Sequence, residues 1–220
     1  MKRYVLAHDL GTTGNKATLY DVDGRLVGST FYGYTTDYAR PRWAEQDPEE
    51  WWQAVCASTH QLLEQAGARG DDIACITFSG QMMAAVPLDK NARPLRPAII
   101  WADQRATEQV RWLGERLSFD EMYRITGHRL SESYSLLKML WIRDHQPDLY
   151  HAAHKFVHAK DAMVARLTGN FVTDASDASG MDLYDLDAGA WSTRILSAAE
   201  VNPAQLPDVH RSIDVVGEVL

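Results

Sequence analysis

Hydrophobic and polar residues along the first part of the chain follow the pattern of β-strands. Residues 4–10 form a short apolar run, and residues 16–22 and 25–34 alternate well enough to be two further strands. Between the last two lie Asp23 and Gly24, a strong hairpin signal. The pattern therefore predicts an opening meander of three strands rather than a strand followed by a helix.

The next segment, which begins DPEEWWQAV at residue 47, predicts a helix. Asp47 is a favoured N-cap, Pro48 suits the first helical position, and Glu49 and Glu50 lie in the positively polarised first turn. Gly67 is placed to end the helix. The predicted apolar face is made by Trp51, Val55, Leu62 and Leu63.

The rest of the chain changes from strands to helices. The near-continuous apolar run at 72–81 is typical of a central strand, and residues 84–89 predict a weaker one. Helices are predicted at 103–117, 118–127, 133–145 and 160–169, with a brief strand at 155–159. No fixed-period repeat and no Gly/Ser linker divides the sequence, so we predict one domain over residues 1–220.

Composition narrows the classes of protein. The chain has 220 residues, of which 45% are hydrophobic, and a formal net charge of -8. That charge argues against nucleic acid or an anionic membrane as the main partner, and no apolar run is long enough to cross a bilayer. Cys56 and Cys75 lie in apolar patterns, which predicts buried thiols, a reducing compartment and a cytoplasmic protein.

The stretch HDLGTTGNKATLYDVDGRL at residues 8–26 carries the first candidate chemistry. A Rossmann or Walker loop would lead from a strand into a helix, whereas this turn leads into another strand and lacks Gly-Lys-Ser/Thr. An aspartic protease would need a second Asp-Thr/Ser-Gly, which the sequence does not contain. A phosphate clamp on a tight hairpin therefore fits better, and a hairpin with an ordinary polar turn is the alternative.

In the phosphate-clamp interpretation each residue has a distinct task. Backbone N–H groups and the hydroxyls of Thr12 and Thr13 can donate to phosphate oxygens. Gly11 and Gly14 are expected to allow close approach and positive φ. Asp9 is an anion and would not bind phosphate, but it can hold Mg²⁺ or the waters around it.

At this point the sequence resembles a known family. The order strand, DLGTTG, strand, Asp-Gly turn, strand and helix resembles the N-terminal lobe of the ribonuclease H-like, or actin-like ATPase, fold. Within that group it resembles the FGGY carbohydrate kinases, and the xylulokinases in particular, through further matching segments at 43–55, 76–83, 97–106 and 133–145. The resemblance implies an α/β fold in which helices flank a mixed β-sheet.

The resemblance also implies roles for individual residues, and ATP and Mg²⁺ as the cofactors. Asp9 would organise the Mg²⁺, and the β- and γ-phosphates of ATP would be surrounded by Gly11, Thr12, Thr13 and Lys16. The sugar would be contacted by Gln81, Met82, Met83 and Trp101. Met83 stands where xylulokinases have histidine, which removes a polar sugar contact. The implied substrate is a ketose such as xylulose, or a related polyol.

Two parts of such a kinase are expected beyond Leu220. They are the general-base aspartate in a glycine-rich segment and the C-terminal nucleotide-binding domain. The 220 residues are therefore interpreted as an N-terminal lobe that is inactive by itself. Its partners would be a small sugar and ATP, and the family allows a homodimer. The alternatives are another actin-like ATPase and a non-catalytic lobe that binds a sugar or a protein partner.

Some prominent residues have ordinary explanations that we favour. The spacing of His151, His154 and His158 could suit a metal, but no cysteine or acid completes a site in the sequence. The acid-rich segment at 174–187 lacks the spacing of a calcium loop and is expected to be a solvated loop. Residues predicted to pack in the interior rather than bind ligands are Trp51, Trp52 and Trp141, and a simple core role is the alternative for Met82 and Met83.

Overall fold

The computed structural model describes residues 3–220, and these fall into two compact units. The first unit holds the described residues up to Thr36 together with Asp47–Gln81, and the second holds Asp37–Gln46 together with Met82–Leu220. The chain therefore passes between the units three times. Because each unit is assembled from separated segments, no linker composition in the sequence marks the division.

Strands and helices are numbered in chain order. The strands are β1 (Tyr4–Leu10), β2 (Gly14–Asp21), β3 (Leu26–Gly33), β4 (Glu45–Gln46), β5 (Ile73–Gly80), β6 (Val86–Leu88), β7 (Ala98–Ile99), β8 (Lys155–Val157), β9 (Val172–Asp174), β10 (Tyr184–Asp185), β11 (Ala190–Trp191) and β12 (Asp208–His210). The α-helices are α1 (Pro48–Ala66), α2 (Thr107–Gly114), α3 (Phe119–Thr126), α4 (Ser135–His145), α5 (Pro147–Ala152), α6 (Ala159–Thr168), α7 (Ala175–Ser179) and α8 (Thr193–Ala199).

The first unit is built on a four-stranded mixed sheet in the order β3-β2-β1-β5. Strands β1, β2 and β3 are antiparallel neighbours, and β5 runs parallel to β1. The predicted meander and its turn are confirmed, and Gly24 takes the positive φ of 83° that this turn requires. The small core of this unit contains Leu6, Ala17, Leu19 and, from α1, Leu62.

Helix α1 begins and ends where the sequence predicts. The Asp47 side chain accepts a hydrogen bond from the Glu49 backbone N–H at 2.9 Å, and Pro48 is the first helical residue. Gly67 ends the helix in the left-handed region, with φ 58°. The cap residues determine these ends locally, which is why the sequence alone was sufficient.

The expectation of a central strand at 72–81 is wrong. Among the described residues β5 pairs only with β1 and forms an edge of the sheet, and its burial alternates along the strand. Cys75 on this strand is exposed and Cys56 is half-buried, so the expectation of two buried thiols is also wrong. Apolar composition did not distinguish a central strand from an edge strand, because strand order depends on the sheet as a whole.

The second unit is mainly helical and also contains four two-stranded sheets, which are β4-β7, β6-β8, β9-β12 and β10-β11. Its core is centred on α4, where every residue from Ser135 to Ile142 is buried. Helix α3 starts at the predicted cap, Ser118, whose hydroxyl accepts from the Glu121 N–H at 3.2 Å. Helix α2 starts four residues later than predicted, at Thr107, because Asp103 instead bonds the backbone N–H groups of Arg105 and Ala44.

Within residues 3–220, none of the helices combines the length and apolar character needed to cross a membrane.

Candidate functional site

In the first unit, the predicted phosphate-binding residues meet at one end of the sheet. Asp9 on β1 lies opposite Lys16 on β2 and beside Ser79 on β5 in the strand register. Asp9 and Lys16 are both exposed, and strand alternation places Asp9 on the sheet face opposite to buried Leu6 and Leu10. A carboxylate and an ammonium group thus project from the same face, at the mouth of the 11–13 turn.

Neither of these two charged side chains makes a hydrogen bond or an ion pair with any residue in the 3–220 range. Asp9 therefore keeps its carboxylate oxygens available, and hard oxygen ligands of this kind are what Mg²⁺ prefers. Lys16 likewise keeps three N–H donors. The residues present fit a Mg²⁺-phosphate group at this position.

The turn itself is held by contacts to the Gly11 carbonyl. The Tyr34 hydroxyl donates to this oxygen, and Gln81 Nε2 donates to it at 3.5 Å. The Gln81 backbone N–H also donates to the Leu10 carbonyl at 2.8 Å. Gln81, which the resemblance assigned to the sugar, is buried and here supports the hairpin, while Thr12 is half-buried and Thr13 is exposed.

The expectation of positive φ at Gly11 and Gly14 is wrong, because neither glycine is among those with positive φ. Close approach does explain Gly14. A Cβ at this position would lie 2.3 Å from the Phe31 ring and 2.6 Å from the Tyr32 carbonyl oxygen. The hairpin therefore requires glycine at position 14 for space.

His8 is a residue that the sequence reasoning missed. It lies directly before Asp9 and is buried, with its ring stacked on Phe78 at 5.1 Å. Asn15 Nδ2 lies 3.0 Å from His8 Nδ1, and Thr59 Oγ1 lies 3.3 Å from His8 Nε2. A neutral ring protonated at Nε2 satisfies both contacts, and burial lowers the pKa of His8 to about 4. Strand alternation placed His8 on the core face, but only the packing shows its partners.

This buried histidine predicts acid sensitivity. The folded pKa of His8 lies below the usual 6.5 of the unfolded chain, so the unfolded state binds the extra proton between pH 6.5 and about 4. Stability should therefore fall as pH falls through this window, by about 2–3 kcal/mol at pH 4.5 relative to pH 7. Urea unfolding at both pH values measures this loss.

The His8→Gln variant should lose much less stability between pH 7 and pH 4.5, because glutamine does not titrate there. His60→Gln, an exposed position on α1, serves as the matched control and should keep the full loss. An equal loss in the His8→Gln variant would show that another group causes the acid sensitivity.

In the second unit, the predicted sugar-contacting residues lie around a strand pair. Ala85 and Ile99 exchange backbone hydrogen bonds of 2.9 and 3.3 Å in antiparallel register. Met83 lies two residues before Ala85 and Trp101 lies two residues after Ile99, so both occupy the same end of this pair. Trp101 is 45% exposed, and Met82 and Met83 are half-buried.

The loop that carries the two methionines is held by α4. Met83 has a positive φ of 62°, which a side chain other than glycine rarely adopts. Lys138 on α4 is fully buried and donates from Nζ to the Met83 carbonyl at 2.9 Å and also to the Ser133 carbonyl. Ser135 donates to the adjacent Ala84 carbonyl at 2.7 Å. Desolvation lowers the pKa of Lys138 to about 7.

Gly180, which follows α7, leaves room for Met82. A Cβ on Gly180 would lie 2.9 Å from the Met82 methyl carbon. The position of Met83 therefore depends on Lys138, 55 positions away in the chain, and the Met82 methyl packs against Gly180, about 100 positions away.

The three histidines whose spacing suits a metal do not come together in one site. His151 and His154 are exposed, whereas His158 is buried beside Asp161 and Asp177, with ligand atoms within 4.8 Å of one another. Lys160 Nζ lies 2.6 Å from Asp161 Oδ1 and 3.0 Å from Asp177 Oδ2, so an ammonium group already compensates these carboxylates. We interpret the cluster as a structural ion network.

The expectation of a solvated acid-rich loop is wrong for two of its aspartates. Asp177 is buried in the cluster just described, and Asp182 is buried with φ 61°. His128 Nδ1 contacts Asp182 Oδ1 at 3.2 Å, and desolvation raises the pKa of Asp182 to about 6. The sequence could not show that distant histidines and a lysine would compensate the charge of these buried carboxylates.

Comparison with known proteins gives a consistent answer. Residues 4–220 match the model of the FGGY family of carbohydrate kinases, N-terminal domain. The chain is 32% identical over 216 residues to the xylulose kinase of Staphylococcus xylosus, covering 98% of this chain and 44% of that protein.

Solved structures agree on the fold. The xylulose kinase of Rhodospirillum rubrum matches with a TM-score of 0.91 at 28% identity, over 99% of this chain and 45% of that one. The gluconate kinase of Lactobacillus acidophilus also matches with a TM-score of 0.91 at 28% identity, over 99% and 44%. The actin-like ATPase fold and the α/β class are thereby confirmed.

The chain spans less than half the length of these relatives, and its match to the family model runs almost from end to end. The GTTG hairpin with Asp9 and Lys16 and the α4 segment around Lys138 lie within that match. This chain belongs to the FGGY family of carbohydrate kinases.

Proposed function

We propose that residues 1–220 form the sugar- and phosphate-binding lobe of a kinase that transfers the γ-phosphoryl group of ATP to a ketose or a related polyol. The observation that carries the proposal is the exposed pair of Asp9 and Lys16 at the mouth of the GTTG turn, without partners in residues 3–220 and inside a family match of 4–220. Neither Cys56 nor Cys75 is in a disulfide, which supports a reducing setting such as the cytoplasm.

The geometry supports a division of labour at the phosphate. Asp9 would hold Mg²⁺, which when bound neutralises charge on the β- and γ-phosphates. Lys16 would place its ammonium group against the transferring phosphoryl oxygens, where negative charge is spread in the transition state. The hydroxyls of Thr12 and Thr13 would donate to the remaining phosphate oxygens. Tyr34 and Gln81 keep the turn in place through the Gly11 carbonyl.

The sugar would lie against the exposed ring of Trp101, with Met82 and Met83 at the same end of the strand pair. A thioether is at best a weak acceptor, so Met83 cannot donate to a sugar hydroxyl. The names of similar proteins, which are xylulose kinase, gluconate kinase and glycerol kinase, support a polyhydroxylated substrate. We propose a ketose or polyol whose hydroxyl at the Met83 position is absent or differently configured.

The experiment that tests the proposal is a panel of ketoses and polyols assayed with ATP and Mg²⁺ on the full-length protein. Sugar-dependent ADP release with one preferred substrate is expected. The 220-residue chain alone should not turn over at a useful rate, since it supplies only part of the machinery that positions the reactants. The absence of sugar-dependent ADP release across the panel in the full-length protein would refute the proposal.

Replacing Trp101 by alanine should raise KM for the preferred sugar roughly tenfold with a smaller change in kcat, because the ring contributes binding area rather than chemistry. The measurement is steady-state kinetics at varied sugar concentration. Trp101→Phe keeps an aromatic face and should recover most of the affinity. An unchanged KM in the alanine variant would remove Trp101 from the sugar site.

A further inference from the structure

An open pocket of about 430 Å³ lies in the second unit, next in the chain to Trp101. It is lined by residues 38–43 and by Ala102. Backbone hydrogen bonds place these segments side by side, because Ile100 N–H donates to the Ala44 carbonyl at 3.1 Å and Gln104 N–H donates to the Arg42 carbonyl at 2.8 Å. The pocket thus adjoins the proposed sugar-binding position without including any residue assigned to it above.

One wall of the pocket is a tight turn with an unusual residue. The Trp43 N–H donates to the Arg40 carbonyl at 3.1 Å, and Pro41 occupies the second position of this four-residue turn. Arg42 occupies the third position with φ 69°. This is the position of a type II turn that favours glycine, so an arginine here is strained.

The contacts of Arg42 do not explain why arginine is present. Its guanidinium lies 3.4 Å from Glu132 Oε1, and the Arg42 side chain is 55% exposed. Exposed ion pairs of this kind contribute little to stability. The Gln104 N–H bond to the Arg42 carbonyl holds this backbone conformation, and the weakly paired guanidinium remains available to a ligand.

The electrostatics of the pocket point to an anion. The guanidinium carbon of Arg105 lies 3.6 Å from the centre of the Trp43 ring, but ion pairs with Asp103 and Glu45 neutralise the charge of Arg105. Arg40 lies over the same ring at 4.6 Å, and no carboxylate of residues 3–220 lies within ion-pair distance of it. Arg40 therefore gives the pocket an excess positive charge in a chain whose net charge is -8.

The shape of the pocket adds a second requirement. Tyr38, which is exposed, offers a flat ring on which the C–H groups of a polyol can lie, and it also offers a hydroxyl. Guanidinium groups bind carboxylate and phosphate through paired N–H donors. Arg42 can leave its weak contact with Glu132 to take part.

We infer that this pocket binds the oxyanion of a small polyhydroxylated molecule, with Arg40 and Arg42 contacting the charge. The oxyanion is a carboxylate, as in a sugar acid, or a phosphate. That the bound molecule is also the molecule phosphorylated rests on the proposed function; that the pocket binds an oxyanion does not.

Calorimetric titration of the full-length protein tests the inference without requiring catalysis. The probes are D-xylonate, xylitol and inorganic phosphate, where xylonate and xylitol differ only by a carboxylate in place of a primary alcohol. We expect xylonate to bind at least tenfold more tightly than xylitol, and its affinity to fall as salt is raised. Equal affinities for xylonate and xylitol, together with no binding of inorganic phosphate, would overturn the inference.

The variants locate the binding in the pocket. Arg42→Gly should weaken the binding of xylonate at least tenfold. The same variant should raise Tm by about 2–4 °C, because glycine relieves the backbone strain at this position of the turn. Weaker binding in this variant cannot then be attributed to misfolding. Arg40→Gln should weaken xylonate as well, and Arg93→Gln, an exposed position after β6, is the matched control that should leave it unchanged. Unchanged affinity in both pocket variants would overturn the inference.

The probes also distinguish a carboxylate ligand from a phosphate ligand, and they distinguish the binding pocket from the proposed kinase function. Inorganic phosphate that competes with xylonate supports a phosphate-bearing ligand, and xylonate binding that phosphate does not displace supports a carboxylate. Tight binding of xylonate through Arg42 without its phosphorylation supports the pocket and separates it from the sugar site. Failure of the ATP-dependent sugar panel would leave this binding result standing, so the two proposals fail independently.

Discussion

Replacing Asp9 by asparagine should lower kcat of the full-length kinase roughly 10³-fold, the scale seen when a charge-stabilising group is removed from an active site. The side chain is exposed at the end of β1, opposite Lys16, and has no hydrogen-bonding partner in residues 3–220. Asparagine keeps its size but loses the charge that would hold Mg²⁺. The fold should tolerate the change, because the carboxylate does not support any other group.

The measurement is ADP release at saturating sugar, with ATP and Mg²⁺ varied. A higher Mg²⁺ requirement together with the lower kcat would show that the binding of the metal, rather than the binding of the sugar, depends on Asp9. Asp71→Asn, an exposed carboxylate in the same unit, is the matched control and should keep wild-type activity. A loss of less than about tenfold in the Asp9 variant would contradict the assigned role.

Replacing Lys138 by methionine should lower the free energy of unfolding by about 3 kcal/mol. Methionine fills similar space, but the carbonyls of Met83 and Ser133 lose their donor inside the second unit. Leaving these two part-buried carbonyls without their donor outweighs the benefit of removing one buried amine, since one carbonyl left unpaired away from water costs about 1–3 kcal/mol. Because Met83 has positive φ and Lys138 holds its carbonyl, KM for the sugar should rise as well.

The pH dependence gives this prediction a specific signature. The folded pKa of Lys138 is about 7 against the usual 10.5, so between these values the unfolded state binds more protons. Wild-type stability gains from Lys138 as pH rises from 7 toward 10, and the loss in Lys138→Met should therefore be larger at pH 9 than at pH 7. Urea unfolding at the two pH values measures the difference.

Lys155→Met is the matched control for Lys138. Lys155 also donates to a backbone carbonyl, that of Leu206 at 2.7 Å, but it is only half-buried. Replacing Lys155 should lower the free energy of unfolding by less than replacing Lys138 does, and it should leave KM for the sugar unchanged. If Lys138→Met were as stable as the wild type at both pH values, the loop of Met82 and Met83 would not depend on α4.

The local features of the fold could be predicted from the sequence. The meander, the Asp23-Gly24 turn and both ends of α1 depend on residues within a few positions of each other. The pairing of Asp9 with Lys16 follows from the same local rule, since a short turn between two strands brings residues on either side of it together. The family resemblance then assigned these residues to phosphate, and the comparisons confirm the family.

Only the tertiary structure decided the features that depend on distant segments. The edge position of β5, the partners of His8 and the burial of Asp177 and Asp182 were missed or predicted wrongly, because each depends on long-range neighbours. The same is true of the hydrogen bond from Lys138 Nζ to the Met83 carbonyl, which joins residues 55 positions apart. Hydrophobic periodicity and caps act over a single element, whereas strand order and the burial of charge are properties of the assembled unit. The sequence by itself therefore determined the opening meander, the ends of α1 and the family of this protein, and the packing of distant segments decided which side chains surround the candidate site.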